Sequence, residues 1–213
     1  MYQHRHGKFV ILSGPSGSGK GTILDGAREL HPELKRTISS TTRAPRAGEV
    51  DGVDYYFVTR ELFEEQISAG LLAEYAEFAG EYYGTHRHEV EMGFAEGIVM
   101  IGDLEINGVR QIVERYGTNK VLYVQVVVPS VDGTIEGEFS ELRKRLLVRN
   151  PELADTLTLL RRLDTSLIER VKMDEPLYRS WAKLRIVNYD AAASVDLLVN
   201  RVIRPALHEL ART

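Results

Sequence analysis

The sequence predicts an α/β fold built on a parallel central sheet, and three features carry that prediction. A short, wholly apolar run from Phe9 to Leu12 reads as a strand buried on both faces. A glycine-rich turn follows directly and leads into a segment whose apolar residues, Ile23, Leu24, Ala27 and Leu30, recur with helical spacing. Strand-like and helix-like segments then alternate to the end of the chain, the pattern of crossover units.

The first helix is closed by His31-Pro32. From Thr37 to about Thr85 the texture changes, with a hydroxyl-rich run (Ser39 to Thr42) and a turn-rich stretch (Ala44 to Asp54). Thr59 is expected to cap a short helix carrying Leu62, Phe63 and Ile67 and closed at Gly70. Leu71 to Phe78 reads as a strand with two outlying glutamates, and the whole stretch as a small inserted sub-domain. Ile98 to Ile101 is a second buried strand with Asp103 just past it, followed by a helix from about Gly108 to Tyr116. Val121 to Val128 is a third strand, and Pro129 to Gly137 reads as a loop. Two basic helical segments, Phe139 to Arg149 and Glu152 to about Met173, are separated near Asn150-Pro151. Leu184 to Val187 is the last strand, and Ser194 is expected to cap a final helix carrying Val195, Leu198, Val199 and Val202.

The 213 residues suit one domain or one core with appended parts, and 43% hydrophobic with 27% charged residues is ordinary globular composition. A net charge of -4 argues against a surface for nucleic acid or anionic membrane. Of the 27 basic residues, 20 are Arg, which points to planar, bidentate recognition of an anion. The absence of cysteine excludes disulfides and thiolate metal sites and suits a reducing compartment. No apolar stretch approaches membrane-spanning length, and residues 1–8 lack the signal-peptide pattern, so a cytoplasmic protein is expected.

Gly14-Pro15-Ser16-Gly17-Ser18-Gly19-Lys20-Gly21-Thr22 stands between the first strand and the first helix. Glycines there let backbone N–H groups turn around a phosphate, and the helix N-terminus adds its positive dipole end. Lys20 can reach the outer phosphates as a point charge. The strict pattern wants a hydroxyl directly after the lysine, but Gly21 stands there and the hydroxyl comes at Thr22. A metal accompanying the phosphates is therefore expected to be held more through water and substrate oxygens.

A second anion site is expected at Ser39-Ser40-Thr41-Thr42-Arg43-Ala44-Pro45-Arg46-Ala47-Gly48-Glu49, where two guanidiniums lie three residues apart among hydroxyls. Tyrosines in Asp54-Tyr55-Tyr56-Phe57 and Gly80-Glu81-Tyr82-Tyr83-Gly84-Thr85 can complete a phosphate site. A carboxylate such as Glu74 can accept both N1–H and the exocyclic N2–H₂ of guanine, whereas adenine offers no donor at N1.

On these stretches, with Asp103 after its strand and Ile186-Val187-Asn188-Tyr189-Asp190 near the end, the chain resembles the guanylate kinases over about residues 9 to 190. The resemblance implies a three-layer P-loop NTPase fold. It divides the chain into a core (residues 1–36, 93–137 and 174–213), a GMP-binding lobe (37–92) and a helical lid (138–173). It implies transfer of the ATP γ-phosphoryl group to GMP, and to dGMP, with Mg²⁺ accompanying ATP. By resemblance Ser39, Arg43, Arg46, Tyr55 and Tyr83 hold the acceptor phosphate, and Glu74 and Thr85 read the base. Asp103 and Glu105 lie near the acceptor base and the metal, the ATP loop is Gly14 to Thr22, and Asn188 borders the adenine. Two lid arginines close over the phosphates; the first matches Arg149, the second Arg162 or its neighbour Arg161. Lys20, Arg43, Asp103, Arg149 and Arg162 then carry catalysis.

The chain also departs from that pattern. Glu105 stands for a second aspartate, Gly102 for an apolar residue, Asn107 for a common glutamine, and the lid segment is longer. Two other readings remain open at this point. One is a kinase of the same fold acting on a sugar phosphate. The other is a guanylate-kinase-like binding module without turnover, which the intact loop with Lys20 disfavours.

Overall fold

The computed structural model describes residues 7–46, 48–78, 80–149, 151 and 157–212, with Arg149 described by its backbone alone. The expected helix break at Asn150 and the expected helix start at Glu152 lie outside the described residues.

Five strands form the central sheet: β1 (Lys8–Ser13), β2 (Lys35–Arg36), β7 (Val99–Asp103), β8 (Val121–Val127) and β9 (Ala182–Val187). Their order is β2-β7-β1-β8-β9 and every pairing is parallel. All six residues of β1 are buried, as its unbroken apolar run predicts for a central parallel strand. Alternation along β1 divides the core in two. Val10 and Leu12 pack with Ile23, Leu24, Val126 and Leu198 on one face, and Phe9 and Ile11 with Met100, Tyr123, Ile106 and Val109 on the other.

The helices in the first part of the chain are α1 (Lys20–Leu30), α2 (Arg60–Ser68), α3 (Arg87–Ala95) and α4 (Ile106–Tyr116). They continue as α5 (Ile135–Arg149), α6 (Leu157–Met173), α7 (Pro176–Trp181), α8 (Ala191–Leu198) and α9 (Arg204–Arg212). A π turn, Val199–Ile203, joins α8 to α9. Pro205 supplies the cause, since a proline ring clashes with the carbonyl four residues before it and a widened turn relieves that clash.

The remaining strands, β3 (Ser39–Thr41), β4 (Tyr56–Phe57), β5 (Leu72–Phe78) and β6 (Glu81–His86), form a second sheet in the order β4-β3-β6-β5. Its register sets Ser39 opposite Thr85, and Thr85 opposite Glu74, so three polar side chains run in one row across β3, β6 and β5. Thr59 caps α2 as expected, its side chain accepting from Leu62 N. The strand β6 and the helix α3 were not anticipated from the sequence.

Two local expectations are corrected. The helix expected from Phe139 begins at Ile135, because the Thr134 hydroxyl accepts from Gly137 N at 3.0 Å and starts it within the expected loop. The cap of the final helix is Asp190, whose carboxylate accepts from Ala193 N at 2.8 Å; Ser194 is buried and donates inward to Asn188 Oδ1 and to the Asp190 carbonyl. His86 is half-buried, and its Nε2 pairs with Ser40 Oγ at 2.9 Å. Gly102, the departure noted above, has a packing reason, since a Cβ there would meet Thr37 Oγ1 at 2.4 Å.

The helices α5 and α6 are tied to each other and to β9 by a charged network. Arg170 of α6 donates to both carboxylate oxygens of Glu138 of α5, at 2.5 and 2.8 Å. Asp174 accepts from Arg170, Arg179 and Arg185, the last on β9. Burial alone would raise the Asp174 carboxyl, but the hydrogen bonds from Arg185, Arg170 and Arg179 outweigh it and hold the group well below the usual carboxylate range. A depressed folded-state value contributes stability that is present above the unfolded value and lost as pH falls. Asp174→Asn is therefore expected to cost about 1–3 kcal/mol in urea unfolding at pH 7, with the deficit shrinking below about pH 4. A deficit independent of pH would contradict the charge-based account.

Candidate active site

Residues 14–19 turn at the carboxyl edge of the central sheet, where parallel α/β folds place ligands. Gly17 and Gly19 have φ of 88° and 92°, a region costly for residues with a Cβ. The loop delivers Lys20 as the first residue of α1, beside the positive end of the helix dipole. The Lys20 ammonium folds back on the loop, donating to the carbonyls of Gly14 and Pro15. Asn188 braces the loop from behind, its Nδ2 donating to the Ser18 carbonyl at 2.8 Å.

The helix α6 packs onto this loop. Ser166 Oγ accepts from Ser16 N at 3.1 Å, and Glu169 Oε1 accepts from Ser13 Oγ at 2.9 Å. Burial pushes the Glu169 carboxyl up to about 7, with the Lys20 charge opposing and Glu105 adding to the shift.

A cleft of about 550 Å³ runs from the loop to the second sheet. It brings Ser16, Gly17, Gly19, Lys20, Gly21 and Thr22 to face Ser39, Arg43, Arg46, Tyr55, Glu74 and Tyr83, with Asp103 and Glu105 between. Of the residues nominated from the sequence, Gly14, Pro15, Ser18, Thr85, Arg162 and Asn188 stand outside this lining. The Arg149 side chain lies outside the described residues. Arg162 is half-buried and its charge bears on Arg46, whereas Arg161 is exposed.

At the far end Glu49 organises the two arginines. Its carboxylate pairs with Arg43 at 2.9 Å and accepts from Arg46 N at 2.8 Å. Burial would raise Glu49, but these bonds hold it below the usual carboxylate range. The Arg43 guanidinium also lies 5.5 Å from the Tyr55 ring centre and 5.8 Å from that of Phe57. Burial and the charges of Arg43 and Arg162 press the Arg46 value downward, a strain that an incoming dianion would relieve. Asp103 sits at the end of β7, 3.7 Å from Arg36, and its charge, with burial, raises the Tyr55 phenol.

Between these ends Glu74 is buried, 3% exposed, with Thr85 Oγ1 donating to its Oε1 at 2.7 Å. Burial raises it to about 7, with the nearby Glu105 adding to the shift. Gly108 of α4 backs the carboxylate so closely that a Cβ there would meet Glu74 Oε2 at 2.3 Å. Glu105 caps α4, accepting from Asn107 N at 2.7 Å, and burial raises its value too.

Arg36, Glu49, Arg145 and Glu169 line the cleft but were not nominated from the sequence. Glu49 had a signal, being part of the arginine run. Arg145 had one as well, since it stands four residues before Arg149 on the same helix. Arg36 and Glu169 had none, because only the folded sheet and the packing of α6 bring them to the cleft.

The guanylate kinase family model matches residues 6–167. The chain is 36% identical over 201 residues to a guanylate kinase of Thermosynechococcus vestitus, covering 94% of this chain and 95% of that one. A guanylate kinase of Desulfitobacterium hafniense is 36% identical over 196 residues, covering 92% of this chain and 89% of that one. Among solved structures, guanylate kinase from Anaplasma phagocytophilum superposes with a TM-score of 0.71 at 26% identity, covering 97% of this chain and 94% of that one. With a phosphate loop at one end of the cleft, paired arginines at the other, and these matches along its length, the chain belongs to the guanylate kinase family of ATP-dependent nucleoside monophosphate kinases.

Proposed function

We propose that this cleft transfers the γ-phosphoryl group of ATP to GMP, giving ADP and GDP, and that it accepts dGMP as well. The observation that carries the choice of acceptor is Glu74: a buried carboxylate on the cleft wall with a hydroxyl at its side. When ionised it offers two acceptors to the N1–H and N2–H₂ edge of guanine. Adenine presents no such pair of donors, and leaving the buried carboxylate unpaired against it is costly.

The reaction asks for positioning and charge neutralisation rather than covalent work. Lys20 leaves the carbonyls of Gly14 and Pro15 and meets the β and γ oxygens of ATP. Arg43 and Arg46, with Ser39, Tyr55 and Tyr83, hold the acceptor phosphate, and Glu49 keeps the guanidiniums in place. Arg145 lines the cleft, and by the family resemblance Arg149 and Arg162 would act on the phosphates when the lid closes. The acceptor phosphate is already ionised, so Asp103 orients the acceptor side or a metal-bound water and is not a general base. Displacing water from the cleft protects the transferring group from hydrolysis.

Mg²⁺ requires oxygen donors and keeps much of its water. Thr22 and Asp103 fit it on that chemistry, both lining the cleft, while Gly21 contributes no hydroxyl. Bound with ATP, the ion would neutralise charge on the phosphates. We place the reaction in the cytoplasm, in keeping with a chain free of cysteine.

A coupled assay of ATP consumption against GMP, dGMP, AMP, UMP and ribose phosphates tests the acceptor. Turnover with GMP and dGMP at least about a hundredfold above the others is expected. A preference for AMP or for a ribose phosphate would sink the guanine assignment, and failure with every acceptor would favour a binding module. Gly108→Ala probes the base pocket. The added methyl must displace the buried Glu74 carboxylate, so KM for GMP should rise about tenfold with KM for ATP within about twofold. Equal changes in both constants would contradict the role given to Glu74.

A further inference from the structure

The contacts of α6 do not stop at the phosphate loop. Three residues beyond Glu169, Lys172 Nζ donates to Asn107 Oδ1 at 2.9 Å. Asn107 belongs to the first turn of α4, and its amide is the one capped by Glu105. Glu105 shares its surroundings with Glu74 from β5, Glu169 and Lys172 from α6, and the Tyr178 hydroxyl from α7. In that company Lys172 supplies the opposing positive charge. A desolvated carboxylate among other carboxylates depends on such a partner.

The same turn of α4 carries Gly108, against which Glu74 rests. The position of Asn107 therefore sets both the Glu105 carboxylate and the back wall behind Glu74. A single helix, α6, touches the phosphate loop through Ser166 and Glu169 and the acceptor side through Lys172. Lys172 engages Asn107 and Glu105, two of the positions where the chain departs from the family pattern.

We propose that Lys172 is a positioning residue for the acceptor base, tying α4 to the lid-bearing helix so that a nucleotide on the phosphate loop strengthens acceptor binding. The inference rests on the guanine reading above. It assigns Lys172 no contact with substrate; the lysine acts through Asn107 and Glu105. Because α6 bonds Ser16 of the loop and Ser13 at its foot, and α4 through Lys172, a shift of α6 on nucleotide binding would be felt where the acceptor base sits.

The test compares Lys172→Met, Lys172→Arg and Asn107→Ala with the wild type. The readouts are KM for GMP and for ATP, kcat, and calorimetric GMP affinity with and without a non-hydrolysable ATP analogue. Lys172→Met should raise KM for GMP about tenfold with KM for ATP within about twofold. Lys172→Arg should bring KM for GMP back to within about threefold of wild type, since it keeps both charge and donor. The ATP analogue should tighten GMP binding in the wild type and have little effect in Lys172→Met. Asn107→Ala removes the acceptor without altering charge and should also weaken GMP selectively, which keeps the test decisive should Lys172→Met not fold. Equal rises in both KM values, an unaffected Lys172→Met, or an arginine variant no better than methionine would overturn the proposal. A wild type that rejects GMP overturns the guanine reading and this inference together. A wild type that takes GMP with unaltered variants overturns this inference alone.

Discussion

Holding carboxylates in a cleft that must also receive two phosphate-bearing molecules is the constraint around which this structure is arranged. Uncompensated, such groups would repel the ligands and one another. Each instead has a local donor: Thr85 for Glu74, the Asn107 amide for Glu105, Ser13 for Glu169, and Arg43 for Glu49. The cations come from separate elements, Lys20 from α1, Arg43 and Arg46 from the segment after β3, and Arg145 from α5. Glu74 and Glu105 thus stand between the two ends of the cleft, and at the ends the carboxylates have cations beside them, Lys20 near Glu169 and Arg43 and Arg46 around Glu49.

The arrangement depends on two sheets. The parallel register of the central sheet sets Leu12 beside Asp103 and Ser13 beside Gln125, so the phosphate loop and Asp103 emerge at one edge. The second sheet aligns Ser39, Thr85 and Glu74 in a row by strand register. The helices α5 and α6 are joined to each other by the Arg170–Glu138 pair and to β9 through Asp174 and Arg185. The cleft and the charged network meet at α6, which pairs Arg170 with Glu138 and Asp174 and Glu169 with Ser13.

Much of this was legible in the sequence wherever function is written in contiguous residues. The phosphate loop, the arginine run and the apolar strand before Asp103 each announce themselves within about ten residues. Glu74 was legible as a residue type able to read guanine, but its burial was not, because that follows from the pairing of β5 with β6 and the approach of Gly108. Glu169 and Lys172 read as ordinary charges on a basic helix, and only the packing of α6 turns them inward. The cap at Asp190 was missed for a different reason. Ser194 is a good cap by type, but the three alanines before it extend the helix back to Asp190 and leave the serine hydroxyl to bond Asn188.

Burial pushes the Glu74 carboxyl up to about 7, so under the proposed guanine reading it must ionise to receive the donor edge of the base. Proton-linked calorimetry of GMP binding tests this directly, in buffers of differing ionisation enthalpy around pH 7, with Glu74→Gln as the reference for protons lost by the GMP phosphate itself. The wild type is expected to release more protons than Glu74→Gln on binding GMP near pH 7, with GMP affinity rising as pH increases through that range. Identical proton release by the two proteins, or GMP affinity that falls through the same range, would contradict it.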